Sequence, residues 1–174
     1  KARLAYSTIS QLAYVVLAFS LANSLGVLGG ALQIVTHAFG KITLFMCAGS
    51  IYVATKKTKI SDMQGLGRVM PITFLSFLIG AISIIGLPPM GGSWAKWFLL
   101  LSSLEADKQF VVFVLLISSL LNIAYLLPLV AKGFYLNPLD QKEFKSFKEP
   151  SVFVWLPPAI TAGISFLLFF YIGH

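Results

Sequence analysis

Long apolar blocks make up most of this chain, and polar residues interrupt them at few places. Blocks at about 4–23, 31–54, 70–103, 110–130 and 152–172 each hold the ~20 residues an α-helix needs to cross hydrocarbon. The pattern predicts an all-α polytopic membrane protein, a single membrane domain of five crossings. Leu25 to Gly30 reads as an uncharged turn between the first two. Tyr6 to Gln11 is polar for a membrane span, which predicts that part of the first helix packs on protein.

The third block is interrupted by Gly86-Leu-Pro-Pro-Met-Gly-Gly-Ser-Trp-Ala-Lys96. Pro88 and Pro89 remove two backbone donors and push the residues before them out of helical geometry. Gly91 and Gly92 loosen the next turn, and Ser93 reads as the N-cap of a restarted helix. A helix broken at 87–92 is tolerated at membrane depth only where it is buried in protein or lines a wet cavity. Lys96 falls about three residues past that cap, against the positive pole of the second half-helix. Stability alone does not choose such a place, so Lys96 is a candidate for a group that takes up and releases a proton. The alternative is that its long stem snorkels to the nearer surface.

Block 31–54 carries the second candidate set. Gln33, His37 and Lys41 are spaced i, i+4, i+8 and share one helical stripe. A charged lysine at mid-membrane costs roughly 2.5–3.5 kcal/mol on insertion scales, so Lys41 must face protein or water. His37, with an unperturbed pKa of about 6.5, sits one turn away. On its own a membrane histidine serves equally as a helix–helix hydrogen-bond partner; beside Lys41 it reads as a proton relay. Gln33 is a weaker relay candidate. None of the five blocks holds an acidic residue, so the counter-charge must be water, loss of a proton by one lysine, or a carboxylate outside this stretch.

Composition adds class. At 57% apolar, 11% charged and mean hydropathy +0.87, the 174 residues form an integral membrane protein. The lone Cys47, inside an apolar block, offers neither a disulfide nor a metal set. No catalytic set, metal centre or cofactor site is expected. The net charge of +7 suggests nucleic acid only until it is mapped. With five crossings, ten of the thirteen cations lie on one side (Lys1, Arg3, Lys56, Lys57, Lys59, Arg68, Lys132, Lys142, Lys145, Lys148), one on the other (Lys108) and two, Lys41 and Lys96, in the membrane. That asymmetry puts loops 55–69 and 131–151 in the cytoplasm. Counting the break as two crossings would carry Lys132, Lys142, Lys145 and Lys148 to the other side and bring Lys108 back, a split of seven against four, so the broken helix crosses once and the excess charge is a topology device. Lys56 to Lys59 and Asn137 to Pro150 read as solvated loops, the second also as a surface helix with Asp140, Glu143 and Glu149 among its lysines. Trp155, Pro157 and Pro158 read as an interfacial entry to the last helix. The chain starts at Lys1 and runs at once into an apolar block, and is read as the C-terminal part of a longer polypeptide.

Three motifs then carry a resemblance. Ala5-Tyr-Ser-Thr-Ile-Ser-Gln11, Thr36-His-Ala-Phe-Gly-Lys-Ile-Thr-Leu-Phe45 with Ala48-Gly-Ser50, and the segment from Gly86 to Lys96 together resemble the antiporter-like membrane subunits. These include the large subunits of Mrp-type cation/proton antiporters, the membrane-arm subunits of respiratory complex I and their relatives in membrane-bound hydrogenases. The resemblance implies most of the second of two inverted five-helix repeats plus a closing helix, in a bacterial or archaeal cell membrane. It implies proton transfer through Lys41, Lys96 and His37, with Gln33 where some members have a second histidine. The partners implied are other membrane subunits of a multisubunit complex, lipid, and protons, with sodium as a further option. Catalysis would lie elsewhere, in an oxidoreductase complex of the NADH:quinone or hydrogenase type if in one at all. Some pumping members have glutamate where Lys96 stands. The sequence around Lys96, with Leu101-Ser-Ser-Leu-Glu-Ala106, is most like the D-type Mrp subunit and the hydrogenase relatives.

Overall fold

The computed structural model describes residues 2–136 and 147–173. Among these there are six α-helices and no strand: α1 (Ala2–Ser20), α2 (Ser24–Thr55), α3 (Pro71–Ile85), α4 (Gly92–Glu105), α5 (Gln109–Tyr135) and α6 (Val152–Ile172). The helices α2, α5 and α6 are long and apolar enough to cross a membrane, and Leu4–Ser20 and Pro71–Ile85 are shorter apolar helices. The architecture is that of a polytopic, all-helical membrane protein.

α2 is the axis, and α1, α3, α4 and α6 all pack on it. It starts at Ser24, so the stretch Leu25 to Gly30 is helix and not the expected turn. Asn23 is the reason: its Oδ1 accepts the Gly26 N–H at 2.8 Å while its Nδ2 donates to the Ser102 carbonyl at 2.9 Å. The glycines that suggested a turn serve close approach instead. A Cβ on Gly26 would stand 2.5 Å from the Ala18 carbonyl oxygen, and one on Gly29 would stand 2.7 Å from Leu99 Cδ1. Gln33, Thr36, His37, Gly40, Lys41, Leu44 and Cys47 continue the buried stripe.

Pro71 starts α3 at its first position, where its missing donor costs nothing. Glu149 caps the same helix end, accepting both the Thr73 N–H (3.0 Å) and the Thr73 hydroxyl. Glu149 therefore does not belong to a solvated loop; it ties the entry of α6 to α3. Lys148 of the same segment is exposed, and the part of the expected loop or surface helix with Asp140, Lys142, Glu143 and Lys145 falls at 137–146, outside the described residues. In α6, Pro158 cannot donate to the Val154 carbonyl, and the Ser50 hydroxyl donates to it instead at 3.1 Å.

One end of the bundle collects several connections. Leu4 of α1 shares a small cavity with Thr58 and Ile60. The Gly65 N–H donates to the Lys132 carbonyl (3.2 Å) and Arg68 Nε to the Phe134 carbonyl (3.1 Å). At the opposite end, the Asn23–Ser102 pair joins the start of α2 to the late turns of α4.

Candidate functional site

Between α3 and α4 the chain is non-helical from Gly86 to Gly91, as the prolines and glycines demand. Gly86 ends α3 at φ +85° and its N–H returns to the Ile82 carbonyl at 2.9 Å. A left-handed residue with no side chain is required here twice over, since a Cβ would meet Lys96 Cδ at 2.5 Å. The Pro88–Pro89 peptide is cis. α6 holds the break: the Gly91 N–H donates to the Ser165 carbonyl (3.1 Å), Ser165 and Ser83 share a hydrogen bond (2.8 Å), and Trp94 Nε1 donates to the Phe169 carbonyl (2.9 Å). The half of the break from Met90 to Gly92 is thereby buried in protein, while Leu87, Pro88 and Pro89 are exposed, and Leu87 and Pro88 line the groove beside Lys96; irregular backbone at membrane depth needs one or the other setting.

The restart differs from the sequence expectation. α4 begins at Gly92 with Gly91 in the cap position, and the Ser93 hydroxyl donates back to the Met90 carbonyl instead of capping. Met90 and Gly91 are already turned, so the helix closes its first bonds earlier. Lys96 is consequently in the second turn of α4 and its ammonium is not held at that helix's positive pole. Its stem lies along Gly86, and Nζ donates to the Ile85 carbonyl, the last residue of α3, at 2.7 Å. A helix C-terminus carries free carbonyls and partial negative charge, a favourable place for a cation. Nζ also reaches Ser119 Oγ of α5 (3.2 Å) and lies 5.1 Å from the centroid of the Tyr14 ring of α1. Snorkelling is excluded: Lys96 is 8% exposed and its donors point inward. A groove of about 780 Å³, lined by Gly86, Pro88, Trp97, Leu116 and Ser119 among others, has Lys96 in its wall.

Lys41 is 6% exposed, in an unbroken helix, and its Nζ donates to the Leu4 carbonyl of α1 at 2.7 Å. The counter-groups found for both lysines are therefore carbonyl oxygens, with a hydroxyl and an aromatic face at Lys96, an option the linear pattern did not suggest. Gln33 Nε2 donates to Gln11 Oε1 (2.9 Å), which ties it to α1 and not to the other members of its stripe. His37 is 8% exposed, yet neither ring nitrogen has a hydrogen-bond partner among the described residues. Among the described residues, no helix–helix hydrogen bond from His37 is formed.

Several residues at the site were not singled out from the sequence. Ser7, Gln11 and Tyr14 are all buried on α1, at i, i+4, i+7, a spacing that was readable. Ser119, Asn122 and Tyr125 are among the few polar positions of α5, and that scarcity was the available signal. The Ile85 carbonyl had no side-chain signal at all.

The transmembrane model of the NADH:quinone oxidoreductase/Mrp antiporter family matches residues 1–122. The chain is 39% identical over 138 residues to the NADH-quinone oxidoreductase subunit N of Desulforudis audaxviator, covering 79% of this chain and 27% of that protein. Among solved structures it is similar to a chain of the Mrp complex from Dietzia sp. DQ12-45-1b (TM-score 0.85, 20% identity, 96% of this chain and 39% of that one). It is similar also to a chain of respiratory complex I from Thermus thermophilus with bound NADH (TM-score 0.82, 22% identity, 98% and 35%). At those identities the two structures speak for the fold alone. The chain spans about a quarter of the length of the curated relatives it matches. With the family model matched over most of the sequence and a relative of this similarity, the chain belongs to the NADH:quinone oxidoreductase/Mrp antiporter transmembrane family.

Proposed function

We propose that this chain is the proton-conducting part of an antiporter-like membrane subunit, in which Lys96 and Lys41 alternate between charged and neutral and His37, one turn from Lys41, serves as a relay. The observation that carries the reading is the seat of Lys96. A buried amine at a break in a helix has a carbonyl and a hydroxyl as partners and a groove beside it. Such partners accept from an ammonium without pairing it permanently, as a carboxylate would. Five crossings, with α3 and α4 counting as one, and a cytoplasmic side for 55–69 and 131–151 are supported by the charge asymmetry. The bonds from Gly65 and Arg68 to the end of α5 and from Thr73 to Glu149 support it too. The relatives are named for multisubunit complexes, which favours other membrane subunits as partners and an ion gradient or redox reaction elsewhere as the drive. A sodium path is disfavoured, because ammonium groups cannot coordinate a cation.

Proton flux in proteoliposomes holding the whole complex tests this. Lys96→Ala and Lys41→Ala should each lower flux by about 100-fold or more, the scale of losing a proton-transfer group. Normal flux in a normally assembled complex would leave a non-conducting structural subunit as the better reading.

A further inference from the structure

The buried face of α1 joins the two lysines. Lys41 donates to the Leu4 carbonyl at one end of that face, and Lys96 lies over the Tyr14 ring at the other. The step from Leu4 to Tyr14 rises about 15 Å along the helix. Ser7 and Gln11, both buried, occupy the same face in between. From α5, Tyr125 Oη lies 2.6 Å from Ser7 Oγ and 2.8 Å from Asn122 Oδ1. The amide oxygen only accepts, so Tyr125 donates to Asn122 and accepts from Ser7, giving a directed pair of hydroxyls. Around this row, Gln11 Nε2, Tyr14 Oη and Asn122 Nδ2 are buried with no protein partner among the described residues. Buried polar atoms are ordinarily satisfied by protein or by ordered water, so three orphans along one row are places where water would complete the hydrogen bonding. α2 shows no such continuity, since Gln33 turns to Gln11 and His37 bonds to nothing described.

We infer that the seam between α1 and α5, formed by Ser7, Gln11, Tyr14, Asn122 and Tyr125, is the path by which protons pass between Lys41 and Lys96. The inference rests on the conduction proposed above. A proton leaves the Lys41 ammonium; each hydroxyl or water takes one proton on one side and gives one up on the other; the neutral Lys96 amine takes up the last. Only O–H and N–H bonds are remade, and charge moves without any group changing its oxidation state. Ser7, Tyr14 and Tyr125 hand protons on. Gln11 and Asn122, which do not exchange protons readily, hold water in register.

Proton flux is measured on the reconstituted complex carrying Tyr14→Phe, Tyr125→Phe, Ser7→Ala or Ser7→Thr, with Lys96→Ala alongside. Phenylalanine keeps the ring and its contact with Lys96 and removes a single oxygen. The expected result is a flux about tenfold lower for each phenylalanine variant and for Ser7→Ala, with assembly as in the parent. Ser7→Thr, which keeps the hydroxyl, should restore most of it, a rescue that a packing role would not give. Should Tyr14→Phe impair assembly, Tyr125→Phe and the Ser7 pair decide the same question. Flux within about twofold of the parent in the phenylalanine and alanine variants, while Lys96→Ala abolishes it, would overturn the seam and leave conduction through the lysines standing. Unchanged flux in Lys96→Ala would overturn the conduction reading itself.

Discussion

The two buried lysines solve one problem in different ways. Lys41 sits in the interior of a continuous 32-residue helix, whose own carbonyls are all engaged nearby, so its ammonium must cross to α1 for an acceptor. Lys96 sits beside an interrupted helix. The interruption frees the Ile85 carbonyl and brings Ser119 and a groove within reach. An intact helix can present a charge to a neighbour, whereas a broken one can also solvate it with its own backbone. The difference suggests an inner station at Lys41 and a mouth at Lys96, and three experiments bear on it.

The largest effect is expected from closing the break. Gly92→Ala would place a Cβ 1.9 Å from the Ser83 carbonyl oxygen, backbone that cannot rotate away. Overpacking costs of about 1–3 kcal/mol, or more, are typical, so thermal unfolding of the purified complex should drop sharply or assembly should fail. On the unbroken helix, Gly49→Ala meets nothing within 4 Å, and by propensity it should be neutral or stabilising by up to about 1 kcal/mol. Equal tolerance at both sites would remove the claim that the break is tightly built.

Next come the charges. Arginine keeps its proton at any working pH, so Lys41→Arg and Lys96→Arg preserve charge while stopping exchange. Each should cost about two orders of magnitude in proton flux. Survival of flux in either variant would make that residue an electrostatic fixture and not a carrier.

The smallest effect sharpens access. In a Cys47→Ala background, Lys96→Cys should react with a small thiol reagent about tenfold faster than Lys41→Cys, because thiol reactivity follows exposure as well as thiolate fraction. Mass spectrometry of the labelled chain reads the ratio. Equal rates would dissolve the contrast between mouth and inner station.

The apolar blocks, the break at the two prolines and the candidates Lys41, Lys96, His37 and Gln33 could all be read along the chain, because length, hydropathy and proline chemistry are local properties. The glycines of 25–30 were misread, since a glycine says that a side chain is unwelcome but not whether a turn or a neighbouring helix forbids it. Ser93 misled for a related reason: a capping residue type marks where a helix can start, and Met90 and Gly91 had already started it.

What a linear pattern cannot carry is the identity of the partners. It shows that two ammonium groups lie in apolar surroundings and leaves open what meets them. The answer came from folding: α3 ends with the Ile85 carbonyl turned to Lys96, α1 lies across α2 so that Leu4 meets Lys41, and Glu149 reaches back over 76 residues to the start of α3. Backbone carbonyls have no letter of their own in a sequence. Only the packing of one helix against the next determines which of them is left to face a charge.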